Sequence, residues 1–348
     1  LMGPGAGTAI INGVGLGFAN QVPKGSIGIV SAAGTGLQEV STLLAKQGLG
    51  VSQAIGTGGR DLSKDVGGLM FFAAIDALQA DPETEMIVLI SKPPDKQLVE
   101  KITSKIKDTQ KPIILCLLGA ERPEDISEPL HFTRTLEECA LVARQVAKST
   151  NQEFNNLIAE EDQRLFEKYQ GLKGSFSPDQ KFIRGLYSGG TLCYEAQVIW
   201  RDALSDPVYS NAPLTKALSL QDSSTCKKHC SLDLGEEEFT VGRPHPMIDN
   251  ELRIQRMLKE ADDPQTAIIL FDMVIGYGAH PDPAEEIGNA IKKIKANHPG
   301  ILWISSVTGT EGDPQSLSKT RAKLEAAGVI VCGSNAQAAR LAAHLLKN

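Results

Sequence analysis

Two short glycine-rich turns hold the residues of this chain best suited to chemistry. The first reads Ser31-Ala-Ala-Gly34-Thr35-Gly36 and the second Ser188-Gly189-Gly190-Thr191. Each follows an apolar run and precedes an amphipathic one, so each sits where a strand feeds a helix. Glycine lets a backbone approach a ligand closely. The first turn of a helix presents N–H groups without acceptors and a partial positive charge, which suits phosphate or carboxylate. Ser31, Thr35 and Thr191 add hydroxyls. Neither turn continues into the Gly-Lys-Ser/Thr of a Walker A loop, and neither fits GxGxxG closely, so a dinucleotide is not indicated. Glycine also permits a tight strand-to-helix turn, and that bland reading stands beside the anion-binding one.

Other loops add candidates. Gly56-Thr-Gly58-Gly59-Arg60-Asp61 follows a strand at the edge where open α/β sheets bind ligands. Arg60 can grip a carboxylate or phosphate bidentately; an Arg–Asp pair that caps the next helix is the structural alternative. Thr308-Gly309 ends a later strand, and Arg243 lies in Gly242-Arg-Pro-His245. His245 and His280 sit in loops beside glycine and proline, which makes them proton-shuttle candidates or solvated side chains. His131 lacks glycine neighbours and ranks behind them. Cys226-Lys-Lys-His-Cys230 places two thiols and an imidazole within five residues, but no second ligand pair of zinc spacing occurs, so no metal is expected. There is no GxSxG and no HExxH, hence no support for a hydrolase with its own covalent nucleophile.

The elements that position these residues come in two statements. Asp81-Pro-Glu-Thr-Glu-Met-Ile-Val-Leu-Ile is answered by Asp263-Pro-Gln-Thr-Ala-Ile-Ile-Leu-Phe, and Lys111-Pro-Ile-Ile-Leu-Cys by Pro299-Gly-Ile-Leu-Trp-Ile. Each copy closes on an alanine-rich helix, from Thr135 and from Ser334. A domain-sized repeat predicts two related domains. In the first copy, strands at 27–31, 51–55, 86–91 and 112–117 alternate with helices at 36–47, 67–80, 95–108 and 135–148. That alternation predicts parallel sheets covered on both faces: α/β, with two related doubly wound domains in one chain. The expected divisions are a glycine-rich lead-in over 1–25, a first domain over 26–150, a helical linker over 151–181, and a second domain over 182–348 interrupted by a polar insertion at 205–246.

The 348 residues suffice for two cores. A net charge of −7 argues against nonspecific nucleic-acid binding, and no apolar run approaches the roughly 20 residues that span a bilayer. No signal peptide is evident. A cytoplasmic protein is expected.

Taken together, these segments resemble the succinyl-CoA synthetase superfamily, and within it the FdrA family. The resemblance rests on Ser31-Ala-Ala-Gly-Thr-Gly, Ile55-Gly-Thr-Gly-Gly-Arg-Asp-Leu-Ser, Val66-Gly-Gly and Ser91-Lys-Pro-Pro. In the second half it rests on Gly185-Leu-Tyr-Ser-Gly-Gly-Thr-Leu, Phe239-Thr-Val-Gly-Arg-Pro-His-Pro-Met-Ile-Asp, Gly276-Tyr-Gly-Ala-His-Pro-Asp-Pro-Ala and Val307-Thr-Gly-Thr-Glu-Gly-Asp-Pro-Gln. It implies flavodoxin-like sheet domains of synthetase α- and β-subunit type fused in one chain. Residues 1–25 would be the remnant of, or linker from, a CoA-binding-type domain, whose Gly-Pro-Asn/Asp-Cys element reads Gly3-Pro-Gly-Ala here. The synthetases' phosphorylated histidine segment is replaced by Glu121-Arg-Pro-Glu-Asp-Ile-Ser-Glu-Pro-Leu-His131, and no ATP-grasp segment is seen.

The resemblance therefore implies an FdrA-type subunit of a multi-subunit carbamoyltransferase in allantoin and purine-nitrogen breakdown, taking carbamoyl phosphate and oxamate. The alternatives are an acyl-CoA synthetase, with an acyl phosphate as substrate, or a non-catalytic scaffold. Gly34, Thr35, Gly36, Gly58, Gly59, Gly189, Gly190, Thr191, Thr308 and Gly309, with Ser31, would bind anion. Arg60 and Arg243 would neutralise it, and His245 or His280 would shuttle a proton. CoA is not expected without the N-terminal domain. Partner subunits in a homo- or hetero-oligomer are expected, and no membrane partner.

Overall fold

A computed structural model describes residues 5–93, 96–124, 126–149 and 154–347. Leu1 to Pro4 of the lead-in, Pro94 of Ser91-Lys-Pro-Pro, Asp125 of the segment ending at His131, and residues 151–153 of the expected linker lie outside the described residues. The chain divides into two units, Leu1–Asn155 with Gly276–Gly278, and Asn156–Ile275 with Ala279–Asn348.

The first unit contains β1 (Thr8–Ile11), β2 (Val14–Gly17), β3 (Lys24–Ser31), α1 (Gly34–Lys46), β4 (Val51–Gly56), α2 (Leu69–Ala80), β5 (Met86–Ser91), α3 (Lys96–Ile106), β6 (Ile113–Leu117), β7 (Leu130–Thr133) and α4 (Leu136–Lys148). Its sheet runs β2-β1-β4-β3-β5-β6-β7. The five strands from β4 to β7 are parallel, in the flavodoxin-like order. β5, Met-Ile-Val-Leu-Ile-Ser, is buried at every position, as a strand with helices on both faces must be. The lead-in folds as the hairpin β1–β2, and β1 adds antiparallel to β4. Its turn is Asn12-Gly13, both at positive φ, the conformation that a two-residue hairpin turn demands.

The second unit contains α5 (Phe154–Tyr169), which begins at the division, then β8 (Phe182–Tyr187), α6 (Gly190–Ala203), β9 (Val208–Ser210), β10 (His229–Asp233), α7 (Glu237–Thr240), α8 (Glu251–Ala261), β11 (Thr266–Val274), α9 (Pro283–Asn297), β12 (Leu302–Thr308), α10 (Leu317–Ala326), β13 (Ile330–Cys332) and α11 (Asn335–Leu346). Its sheet, β13-β12-β11-β8-β10-β9, is parallel throughout. The polar stretch at 205–246 is not an insertion beside the fold. It supplies β10, which pairs with β8 as β4 pairs with β3. Six polar residues among Asp222-Ser-Ser-Thr-Cys-Lys-Lys hid a strand of only five residues, all buried.

Helix starts differ in one respect that bears on the site. Thr135 accepts the Glu138 amide at α4, Asp282 that of Glu285 at α9, and Ser334 that of Gln337 at α11. The helices that leave the two glycine turns, α1 and α6, have Ala33 and Gly189 at the N-cap and no capping side chain. Their first N–H groups are left for something else.

Candidate functional site

In the second unit, β8 and β11 lie side by side at the point where the strand order reverses, the place where such sheets bind ligands. Asp272, near the end of β11, is fully buried. Its carboxylate accepts the Ser188 amide at 2.8 Å and the Ser188 hydroxyl at 2.9 Å, which fixes the turn into α6. Arg253, on α8 and 1% exposed, donates Nη1 to the Asp272 carboxylate at 3.1 Å and to its carbonyl at 2.7 Å. Its Nη2 reaches Asn250 Oδ1 at 3.0 Å, Asn250 donates to Glu286 at 2.8 Å, and Glu286 lies 3.4 Å from His280 Nε2. A continuous polar chain thus runs from His280 to the start of α6. Burial draws Asp272 above the ordinary carboxylate range against the opposing pull of Arg253 and Ser188, and draws Arg253 below the ordinary guanidinium range.

At the helix start, Gly190 and Thr191 supply first-turn amides that no side chain caps. Thr191 is 1% exposed and its Oγ1 has no hydrogen-bond partner among the described residues. An orphan hydroxyl at that depth costs about 1–3 kcal/mol unless a ligand or water takes it up. Gly235, after β10, closes in from the side. A Cβ there would stand 2.7 Å from Ser188 O and 2.8 Å from His245 Nε2. His245 Nδ1 accepts the Met247 amide at 3.2 Å, which assigns the ring proton to Nε2. Burial, then the nearby Arg253, lowers its pKa to about 4, so the ring is neutral at pH 7.

The first unit uses its turn otherwise. Ser31 Oγ donates to Ala33 O at 2.7 Å and accepts the Ala33 amide at 3.1 Å, closing the turn on itself. Asp61, 1% exposed, accepts the amides of Met70 at 3.1 Å and Phe71 at 2.8 Å. It caps α2 in place of Gly68, which is at φ 81. Of the two readings of Arg60-Asp61, capping is the one Asp61 fulfils; Arg60 is exposed in the loop before it. Gly58, at φ 86, and Gly59 bring the loop after β4 against the turn, with a Cβ on Gly59 3.6 Å from Ala32 O. Gly34 is exposed, Thr35 and Gly36 are buried.

Among the expected site residues, the structure brings together Gly189, Gly190, Thr191 and His245, with His280 joined through the polar chain. Ser31, Gly34, Thr35, Gly36, Gly58 and Gly59 form a separate group in the first unit. Arg243 is exposed, and among the described residues no contact ties its side chain to the cluster. Thr308 O is committed to the Ile275 amide, and Gly309 lacks a side chain because a Cβ would stand 2.2 Å from Ile275 Cγ1. Both are accounted for by packing. Asp272, Arg253, Asn250 and Glu286 were not singled out from sequence. An acid closing the apolar run of β11 was a signal; an arginine in a helix as polar as α8 was not. Among the described residues, no group of three or more His, Cys, Asp or Glu side chains is placed to hold a metal. No described helix is long and apolar enough to cross a membrane.

Comparison with known proteins bears on this geometry. The profile of the family described as CoA-ligase matches residues 186–345, and that described as CoA binding domain matches residues 23–118. YahF of Escherichia coli K12, described as uncharacterized, is 41% identical over 99% of this chain and 67% of its own length. The succinate–CoA ligase [ADP-forming] α subunit of Aquifex aeolicus is 34% identical over 35% of this chain and 40% of that subunit. The chain thus spans about two thirds of YahF and two fifths of the ligase subunit. The dinucleotide-forming acetyl-coenzyme A synthetase 1 of Ca. Korarchaeum cryptofilum, solved with phosphate and ADP, aligns over 99% of this chain and 69% of its own at 13% identity. Its TM-score of 0.35 is too low to carry an argument. With a CoA-ligase segment over the second sheet and a relative 41% identical along nearly the whole of this chain, this chain belongs to the FdrA-like proteins of the succinyl-CoA synthetase superfamily.

Proposed function

We propose that this protein works in acyl-CoA-synthetase-type chemistry and that the start of α6 binds the phosphate of a small acyl phosphate, or inorganic phosphate. The observation that carries this is the uncapped helix start, with the orphan Thr191 hydroxyl beside a turn anchored by Asp272 and Arg253. The amides of Gly190 and Thr191 and the Thr191 hydroxyl are donors that one acceptor-rich anion can satisfy together. In the reaction, a thiolate of CoA attacks the acyl carbon and the phosphate departs with the electron pair. Donors fixed in advance at the leaving phosphate stabilise its developing charge without reorganisation. This half-reaction requires no phosphohistidine.

The CoA-ligase match over 186–345 supports this reading. The CoA-binding match over 23–118 runs against the expectation that CoA has no place here. It covers the first-unit turn, where the amides at the start of α1 fit a phosphate of such a ligand. When bound, CoA would supply the nucleophilic thiol. Carbamoyl phosphate offers the same phosphate on a different acyl group, and the matches favour the CoA-ligase reading over carbamoyl transfer.

Calorimetric titration with inorganic phosphate, acetyl phosphate and carbamoyl phosphate tests this. The expected result is binding of all three through their common phosphate, weakened about fivefold in Thr191→Val for the loss of one hydrogen bond. Absence of binding at roughly 10 mM, weaker than a Kd with only ~3 kcal/mol of favourable free energy, would sink the proposal. Equal binding by Thr191→Val would displace the site from α6.

A further inference from the structure

The amino-terminal end of the second sheet carries a side-chain cluster that the α6 site does not use. Arg256, on α8 and 7% exposed, spends its guanidinium on three groups. Nε donates to Glu260 at 2.6 Å, Nη1 to Ser223 O at 2.6 Å, and Nη2 to Cys226 Sγ at 3.3 Å. Cys226 is partly exposed and packs on the core cluster that contains Cys230. Its thiol lies near enough to the fully buried Cys230 thiol to add to the rise in that group's pKa, for which burial is the main cause. Lys228, at φ 51, bends the chain between them.

His229 takes no part. On a strand, neighbouring side chains point to opposite faces. The His229 Nδ1 accepts the Ile183 amide at 3.2 Å and the ring meets Phe182 edge-on. The cluster is therefore a dithiol beside a cation and not a metal site.

A partly open sulfur, a guanidinium beside it and a second thiol four residues on in the same core cluster are the parts that thiol–disulfide exchange needs: an attacking sulfur, a balancing charge and a resolving sulfur. We propose that Cys226 and Cys230 form a redox site that exchanges with low-molecular-weight disulfides and ends as an intrachain disulfide. The Cys226 sulfur, as thiolate, attacks one sulfur of the reagent, and one thiolate leaves with the electron pair of the broken bond. Cys230 then gives its proton to solvent and attacks the Cys226 sulfur of the mixed disulfide, expelling the second thiolate. Two protein thiols and one disulfide become one protein disulfide and two small thiols; the protein is oxidised by two electrons and the reagent reduced by two. Burial holds the Cys230 thiol well above its ordinary pKa, which makes the second step the slower one. The remaining cysteines, at 116, 139, 193 and 332, are all buried and stay silent in the folded chain.

The test is the reaction of the native protein with excess dithiodipyridine, followed by the thiopyridone released. The expected course is one release whose rate scales with reagent, then an equal release whose rate does not, with a peptide map joining Cys226 to Cys230. Cys230→Ser should stop after the first release with the reagent's half left on Cys226. Cys226→Ser should slow the first release by roughly tenfold or more, as for a buried thiol. The proposal is overturned if the native chain stops at a stable mixed disulfide, if the map joins other cysteines, or if Cys226→Ser reacts like the native protein. The map of the native chain decides on its own if a variant does not fold.

Discussion

The two glycine turns occupy the same place in two sheets that share the order of five parallel strands, β4-β3-β5-β6-β7 and β10-β8-β11-β12-β13, yet they are held in opposite ways. In the first unit, Ala32 follows β3 and donates its amide to the backbone carbonyl of Ile90 on β5 at 3.0 Å. In the second, Ser188 follows β8 and donates to the side chain of Asp272 on β11 at 2.8 Å. The registers Ser31↔Ile90 and Leu186↔Phe271 make Ile90 and Asp272 counterparts. Where one sheet spends an apolar side chain on its core, the other spends a buried carboxylate, which then requires Arg253, Asn250 and Glu286 to satisfy it. A buried charge network is costly to build, and the second unit retains one where the first manages without. The lesson is that the shared turn grammar specifies a helix start, whereas the residue one strand over decides whether polar machinery surrounds it.

The sharpest way to break this contrast is to remove Arg253. Arg253→Met leaves Asp272 buried without its cation and should cost about 3–5 kcal/mol. Urea unfolding reads the loss; a cost under ~1 kcal/mol would mean that Asp272 does not depend on Arg253. The counterpart in the first unit is Asp61→Ala, which removes a helix cap and no charge network, and should cost about 1–2 kcal/mol by the same measurement.

The third test is pH. His245 has a folded pKa of about 4 against an ordinary value of 6.5, so the unfolded chain binds the proton more readily. Its contribution is complete above pH 6.5 and is lost as pH falls toward 4. Between pH 7.5 and 5.5 the native protein should lose about 1 kcal/mol through this ring. His245→Gln should flatten that part of the stability profile; an unchanged profile would show that the ring is not buried neutral. His229, also drawn down to about 4 by burial, adds a slope of the same sign that the variant retains. Smallest of all should be the effect of Thr191→Val on the stability of the free protein, a gain of up to about 1 kcal/mol, because it removes a buried hydroxyl that has no partner among the described residues. A large loss would instead reveal an internal partner and remove the argument for an anion there.

Much of this was legible in the residues. Strand 86–91 was bounded correctly, since an unbroken apolar run between Asp81-Pro and Lys-Pro has no helical period to confuse it. Both glycine turns were placed, because glycine and small residues between an apolar and an amphipathic run have few other meanings. β7 and β10 were missed. Each is short, and alternation cannot be read over four or five residues beside polar loops. The arginine and asparagine of α8 were missed for a different reason. Sequence shows that a helix is polar, not that its polar face has been turned inward to meet a carboxylate.

The late arrival of β10 has a consequence for the order of assembly. In the first unit, β3 finds its neighbour β4 one helix later. In the second, β8 must wait past α6, β9 and a polar loop before β10 can pair between them. Each doubling of a closing loop costs about 0.6 kcal/mol in chain entropy before any contact offsets it, and parallel pairing over long separations is slow. The unit that carries the buried polar chain is therefore expected to complete its sheet second.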